Sequence, residues 1–415
     1  MKRIRTQPKR AIIFIAIVLS ACSSREMDAI VATQFPVEEA LATAEPMVDE
    51  PLETAPAENL LPAGLLTSSD EEGSVSFYNL QGELSGFALA PGLVSADPDS
   101  IHIAGRADDE KQIPELIYRS WTPDQALIFL EEGQPEKIRE TGSFLALAGA
   151  RGEPFFAFSE IYLEKETPKS YLFAGGHDSI QTAAPILELS DDKTAMALKP
   201  VGTAVSVGDL GSVWYTKTAW GIGGIDLIFP IQRGLYLYDI QSGESQTILP
   251  DSRNFQGISP DLSLSASTNF GIDESGPLLV SYLDEERTVE FPLHPDSNRG
   301  AGFAVFSPDN HYAAWMEGQG SMASYEKNFS ARVRIGELIT GTILQELDND
   351  EAADFLGWAE VRQLKPSAWL DNETLIIEAR GADWSGSSLI LMDRATGDLR
   401  FFSSGVFLGL VYPGR

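Results

Sequence analysis

The chain has 415 residues and a formal net charge of −31, from 61 acidic and 30 basic side chains. Such a surface repels nucleic acid and anionic lipid headgroups, so a nucleic-acid partner is not expected, while cations and basic partners are tolerated. A content of 43% hydrophobic residues with 36 Gly and 24 Pro implies many turns around a substantial core, and a single cysteine excludes a disulfide within the chain.

The first segment, MKRIRTQPKR, is strongly basic, and Ala11 to Leu19 is an unbroken apolar run. That run is too short to span a bilayer, which takes about 20 apolar residues, and it has the length of a secretory signal. It ends Leu19-Ser20-Ala21-Cys22, which resembles the bacterial lipobox. The resemblance implies cleavage after residue 21 and lipidation (palmitate among the chains) of Cys22. Removal of the five basic residues of the signal leaves 25 Lys and Arg against 61 acids, a balance near −36. Ser23 stands where an Asp would favour retention in the inner membrane of diderm bacteria. The resemblance therefore predicts a lipid-anchored, extracytoplasmic protein, at the outer membrane of a diderm or the surface of a monoderm.

Residues 22–62 are rich in Ala, Pro, Thr and Glu, and their acids (Glu38, Glu39, Glu45, Asp49, Glu50, Glu53 and Glu58 among them) have almost no basic partners. Low hydrophobicity with uncompensated charge predicts a disordered tether, with a root-mean-square reach of roughly 35 Å.

From residue 63 to 415 the sequence reads as a repeat. Seven stretches share an apolar run, a polar turn and a second apolar run: Ser74–Leu89, Glu115–Leu130, Ser170–Leu189, Gly234–Leu249, Pro277–Leu293, Ala331–Leu347 and Ser388–Phe402. Each reads as the outer hairpin of a unit. Between them lie inner strand pairs, clearest in Phe255–Ser267, Phe303–Met316 and Pro366–Ala379, and weaker in Gly92–Gly105 and Phe144–Phe158. Four strands per unit at this period is the signature of a β-propeller blade. The fold expected is an all-β propeller of seven blades, with six or eight as alternatives because residues 190–235 read as irregular. The last apolar strand, Gly405–Pro413, is expected to become the innermost strand of the blade that holds Ser74–Leu89, closing the ring with N- and C-terminal strands.

Ser307-Pro308-Asp309 followed by Ala314-Trp315, and Tyr236 to Asp239 followed by Ser242-Gly243, resemble the repeat of TolB-like and WD40-like propellers. The resemblance implies the fold only, because propellers host unrelated activities.

No catalytic or ligand motif stands out. His102, His177, His294 and His311 show no zinc spacing, there is no G-x-S-x-G elbow, and Gly221-Ile222-Gly223-Gly224 lacks the strand and helix of a dinucleotide site. No metal and no cofactor are predicted. His177-Asp178 reads as a solvated turn. The long connections at 106–114, 216–233, 316–330 and 379–387 are predicted to share one face of the disc. They carry the candidate binding residues Arg106, Trp220, Asp226, Arg233, Glu317, Tyr325, Asp383 and Trp384. Aromatic and acidic residues on a loop-rich face suit contact with a protein, peptide or saccharide. The function expected is non-enzymatic binding of an envelope partner or ligand by a membrane-anchored monomer. The alternative is an extracytoplasmic hydrolase or lyase acting on carbohydrate or peptide.

Overall fold

Runs such as LIYRS at Leu116–Ser120 and TLIIEARG at Thr374–Gly381 are rich in β-branched and aromatic residues. They lack simple in–out alternation, the composition of strands covered on both faces. The computed structural model describes residues 61–68, 73–93, 98–105, 113–120, 125–141, 143–149, 154–164, 167–190, 195–204, 211–220, 228–269, 276–320, 329–381 and 386–413. By contacts the chain divides into Met1–Ala55 and Pro56–Arg415, and all described residues fall in the second unit. The signal, Cys22 and the tether up to residue 60 therefore lie outside the described residues.

The first sheet holds β1 (Gly64–Ser68), β2 (Ser74–Asn79) and β3 (Leu84–Leu89). The second holds β4 (Ile101–Ile103), β5 (Leu116–Ser120), β6 (Ala126–Glu131) and β7 (Gln134–Glu140). The third holds β8 (Ser143–Gly149), β9 (Phe155–Glu164), β10 (Thr167–Gly176) and β11 (Leu187–Ser190), with the single turn α1 (His177–Ile180) between the last two. A seven-stranded sheet follows, of β12 (Met196–Ala204), β13 (Ser212–Ala219), β14 (Gln232–Asp239), β15 (Glu244–Ile258), β16 (Leu264–Asn269), β17 (Leu278–Tyr282) and β18 (Arg287–Phe291). Next come β19 (Ala301–Phe306), β20 (Tyr312–Gln319), β21 (Ser330–Glu337) and β22 (Ile343–Asp348), and then the helix α2 (Asn349–Leu356). The last sheet is β23 (Val361–Trp369), β24 (Thr374–Gly381), β25 (Ser387–Asp393) and β26 (Leu399–Ser404). The final strand, β27 (Val406–Val411), returns to the first sheet, which has the order β27-β1-β2-β3.

Each sheet is an antiparallel meander, and apolar clusters lie between successive sheets. One joins Leu66, Val75 and Val411 to Ile101, Leu116 and Leu130. Another joins Leu264, Val280 and Phe291 to Ala313 and Trp315. A third joins Ile376, Leu389 and Phe402 of the last sheet to Leu65 and Phe407 of the first. Trp315 is fully buried, with its ring 4.8 Å from that of Phe291. Burial of side chains of this size stabilises by about 1.5–3 kcal/mol each. The molecule is an all-β propeller.

The structure corrects four details. Glu115–Leu130 is not an outer hairpin: it forms β5 and β6, the middle pair of its sheet, and the outer turn is Glu132-Gly133 between β6 and β7. Residues 190–235 contain two regular strands, β12 and β13. Among the described residues of Gly92–Gly105 the one strand is the short β4, after a single helical turn at Pro98–Ser100. His177 opens α1 rather than a free turn, with its ring 4.3 Å from that of Phe129. The helix α2 was also unforeseen. Its start is a capping box, since Asp348 accepts from the backbone of Asp350 and Glu351 while Glu351 reaches back, and Gly357 ends it at φ +67°.

Candidate ligand-binding channel

A cavity of about 850 Å³ runs between the sheets. Its wall comes from β4, β8, β12, the second half of β15, β19, β23 and β27. Such strands keep one edge without a ladder partner, and this explains two prolines. Leu198-Lys199-Pro200 on β12 and Leu364-Lys365-Pro366 on β23 repeat one tripeptide, and in both the pairing to the next strand shifts just after the proline. Proline lacks the amide proton a central strand needs, so it belongs on such an edge. The two lysines beside the prolines both line the channel.

Lys199 Nζ lies 2.6 Å from Asp99 Oδ2. The Asp99 side chain is 49% exposed and its residue lines the cavity. Burial works to raise its carboxyl, but Lys199 beside it, and Lys365 at longer range, hold it below the usual carboxylate range. Lys365 Nζ sits 5.0 Å from the centre of the Phe303 ring. Phe303 has φ +54°, a left-handed conformation rare for an aromatic residue, at a point where the β19–β20 register shifts. Backbone of this kind costs on the order of 1–3 kcal/mol. Among the described non-glycine residues of positive φ, Phe303 alone lines the channel.

The Gln256 carboxamide accepts from the Phe303 backbone N–H at 3.3 Å. Gly302 makes this approach possible, for a Cβ there would lie 2.2 Å from Phe229 Cδ1 and 2.6 Å from Gln256 Oε1. Ile228 and Phe229, at the described end of the connection between β13 and β14, reach the channel and pack with residues of β20 and β21. Gly149 likewise leaves room for the imidazole of His102, because its Cβ would fall 2.3 Å from that ring.

The predicted site residues fare differently. Arg106, Asp226, Tyr325, Asp383 and Trp384 lie outside the described residues. The three that are described do not converge. Glu317 is 1% exposed on β20 and holds Arg334 Nη1 at 2.7 Å, the Trp315 indole N–H at 3.0 Å and the His294 backbone N–H at 2.8 Å. It is a structural anion, not a free group on a loop. Arg233 lies on β14 opposite Asn254, where its charge helps hold Asp251 below the usual carboxylate range. Burial works the other way on Asp251, and hydrogen bonds from Tyr236 and Lys217 contribute more than Arg233 does. Trp220 caps β13 through its backbone N–H to Ala195 O at 3.0 Å, and its indole N–H is buried without an acceptor. The segment 106–114 joins β4 to β5, the first and second strands of a sheet. The other three long connections join second to third strands, so in an antiparallel meander they leave from the opposite end.

Among the described residues no cluster of three His, Cys, Asp or Glu is placed to hold a metal ion, and no helix is long and apolar enough to cross a membrane. The search of family models and that of curated proteins returned no match. Solved structures do resemble the chain. TolB from Acinetobacter baumannii aligns at 14% identity and a TM-score of 0.40, over 85% of this chain and 82% of that one. The β-propeller domain of the Trilobed protease from Pyrococcus furiosus aligns at 10% identity and 0.45, over 80% and 86%. Oligogalacturonate lyase in complex with manganese aligns at 11% and 0.42, over 82% and 84%. These likenesses concern the β-propeller fold alone.

Proposed function

We propose that the chain is a lipid-anchored, extracytoplasmic binding protein whose propeller holds a ligand or envelope partner at the channel, without chemistry of its own. Read in this way, the long strand β15 serves twice. Glu244–Leu249 pairs with β14 as the outer strand of one blade, and Arg253–Ile258 pairs with β16 as the inner strand of the next. The propeller then has seven blades, with β27 and β1 closing the ring.

The observation that carries the reading is the channel itself. Its volume of about 850 Å³ suits a small ligand or a peptide segment. Ile228 and Phe229 bring the end of a long connection to its wall, next to the face predicted to hold Trp220 and Trp384. The buried acids Glu317 and Glu378 support binding over acid–base chemistry, since each is engaged by an arginine, at 2.7 and 2.6 Å. The anchor rests on the lipobox at Cys22.

Co-purification from gently solubilised membranes tests this. Wild-type protein should capture a partner or small molecule that a Trp220→Ala, Phe229→Asp, Trp384→Ala variant releases. Undiminished capture by a folded triple variant would sink the reading. A Cys22→Ser variant should lose palmitate labelling and pass to the soluble fraction.

A further inference from the structure

On a chain of net charge −31, the channel has the opposite bias. Lys199, Lys365 and Arg380 line it. Asp99 is bonded to Lys199 at 2.6 Å, and Glu378 is bonded to Arg380 at 2.6 Å. Lys365 is left with no carboxylate at ion-pair distance among the described residues, and its ammonium has the Phe303 ring as neighbour. Lys199, and more weakly Lys365, hold the Asp99 carboxyl below its usual range against the effect of burial.

A second observation is independent of charge. Gln256 is 7% exposed, lines the channel and turns its Oε1 to the Phe303 N–H. That acceptor role fixes the orientation of the carboxamide. Its Nε2 is buried and has no acceptor. A buried amide donor left unpaired is costly, and a ligand oxygen would satisfy it.

We propose that the channel binds a small organic anion, its carboxylate or phosphate held by Lys199, Lys365 and the Gln256 amide, and its apolar part placed against Phe229 and Phe303. This rests on the reading of the propeller as a binding protein and names the class of ligand. Charge-assisted bonds from ammonium groups inside a walled cavity are stronger than in open water. The aromatic rings supply the apolar contact that selects an organic anion over an inorganic one.

Calorimetric titration of the full-length protein in detergent tests the proposal, with phenyl phosphate and phenylacetate as probes and benzylammonium as control. One or both anions should bind saturably at a single site, and benzylammonium should not. Lys365→Met and Gln256→Leu should each weaken anion binding at least tenfold, and Lys365→Arg should restore most of it. Lys365→Met breaks no ion pair, so its folding is checked by an unchanged unfolding midpoint. Binding of the anions with equal affinity by wild type and Lys365→Met would overturn the proposal, as would equal binding of benzylammonium. Failure of both anions to bind up to millimolar concentration would also overturn it. If wild-type protein still captures a membrane partner in that case, the broader binding reading stands without it.

Discussion

Asn310 Nδ2 lies 2.6 Å from Asp261 Oδ2, and the two residues occupy corresponding turns of neighbouring repeats. In each turn a serine folds back on the aspartate two places on, Ser259 to Asp261 and Ser307 to Asp309, both at 2.6 Å. The serine oxygen also receives backbone N–H groups from the next strand, those of Leu264 at 2.9 Å and Tyr312 at 3.0 Å. The link continues one repeat on, where the Asp309 backbone N–H donates to Asn372 Oδ1 at 3.1 Å. A motif that looks local in sequence thus joins three sheets side by side.

Asn310→Ala is expected to cost about 1–3 kcal/mol, since it removes a bond to a charged group and puts a less tolerant residue at φ +56°. Asn310→Gly should cost less, because it loses the side-chain bonds to Asp261 and Ser263 without backbone strain. Urea unfolding of the two variants checks the order.

Stability should fall on the acid side. Burial works to raise the Asp261 carboxyl, but Ser259, Asn310 and Ser263 hold it below the ordinary value. Asp239 and Asp393 are lowered by bonds from Ser242 and Thr396. A depressed carboxylate contributes stability above its unfolded value, about 3.9, and loses it as pH falls through the folded value. Unfolding midpoints should therefore be level between about pH 5 and 8 and drop below about pH 4. Asp261→Asn should be less stable at neutral pH and show a shallower acid decline.

The Arg334–Glu317 pair, with its arginine also 2.9 Å from Glu346, is a buried ion pair with both partners satisfied. Removal of one partner strands a charge and costs roughly 3–5 kcal/mol. Arg334→Met should show that loss in denaturant titration. Glu317→Leu combined with Arg334→Met should recover a good part of it, and strictly additive losses would refute the pair as the cause.

Gly302→Ala should displace Phe229 and Gln256 together, because a Cβ there overlaps both. A loss of about 1–3 kcal/mol is expected from overpacking, with weaker binding of any channel ligand, read by titration alongside the unfolding curve.

The repeat was legible because its turns are made locally: proline, aspartate and serine shape Ser259–Leu264 and Ser307–Tyr312 from within. The second sheet misled for a related reason. Thr122-Pro123-Asp124 looks like an outer turn, whereas the true one depends on Glu132 at φ +50° beside Gly133 at φ +73°. In addition, β5 is buried throughout, so no alternation marked its depth in the sheet. The channel was hidden because its residues are far apart in sequence and meet only when separate sheets converge. Its one visible trace was the repeated Leu-Lys-Pro, intelligible once both prolines are seen at an inner edge. Glu317 was misread as a loop acid because nothing in its own strand announces Arg334 across the ladder.

The pairing of Gly64 with Val411 places the first and last strands of the described fold side by side. In the closed ring proposed above, the repeats have no preferred first member. A short linker from residue 413 to residue 61, with new ends cut at the exposed Ser242-Gly243 turn, would keep every ladder intact. Such a permuted chain should fold to the same sheets, read by an unchanged circular-dichroism spectrum and unfolding midpoint.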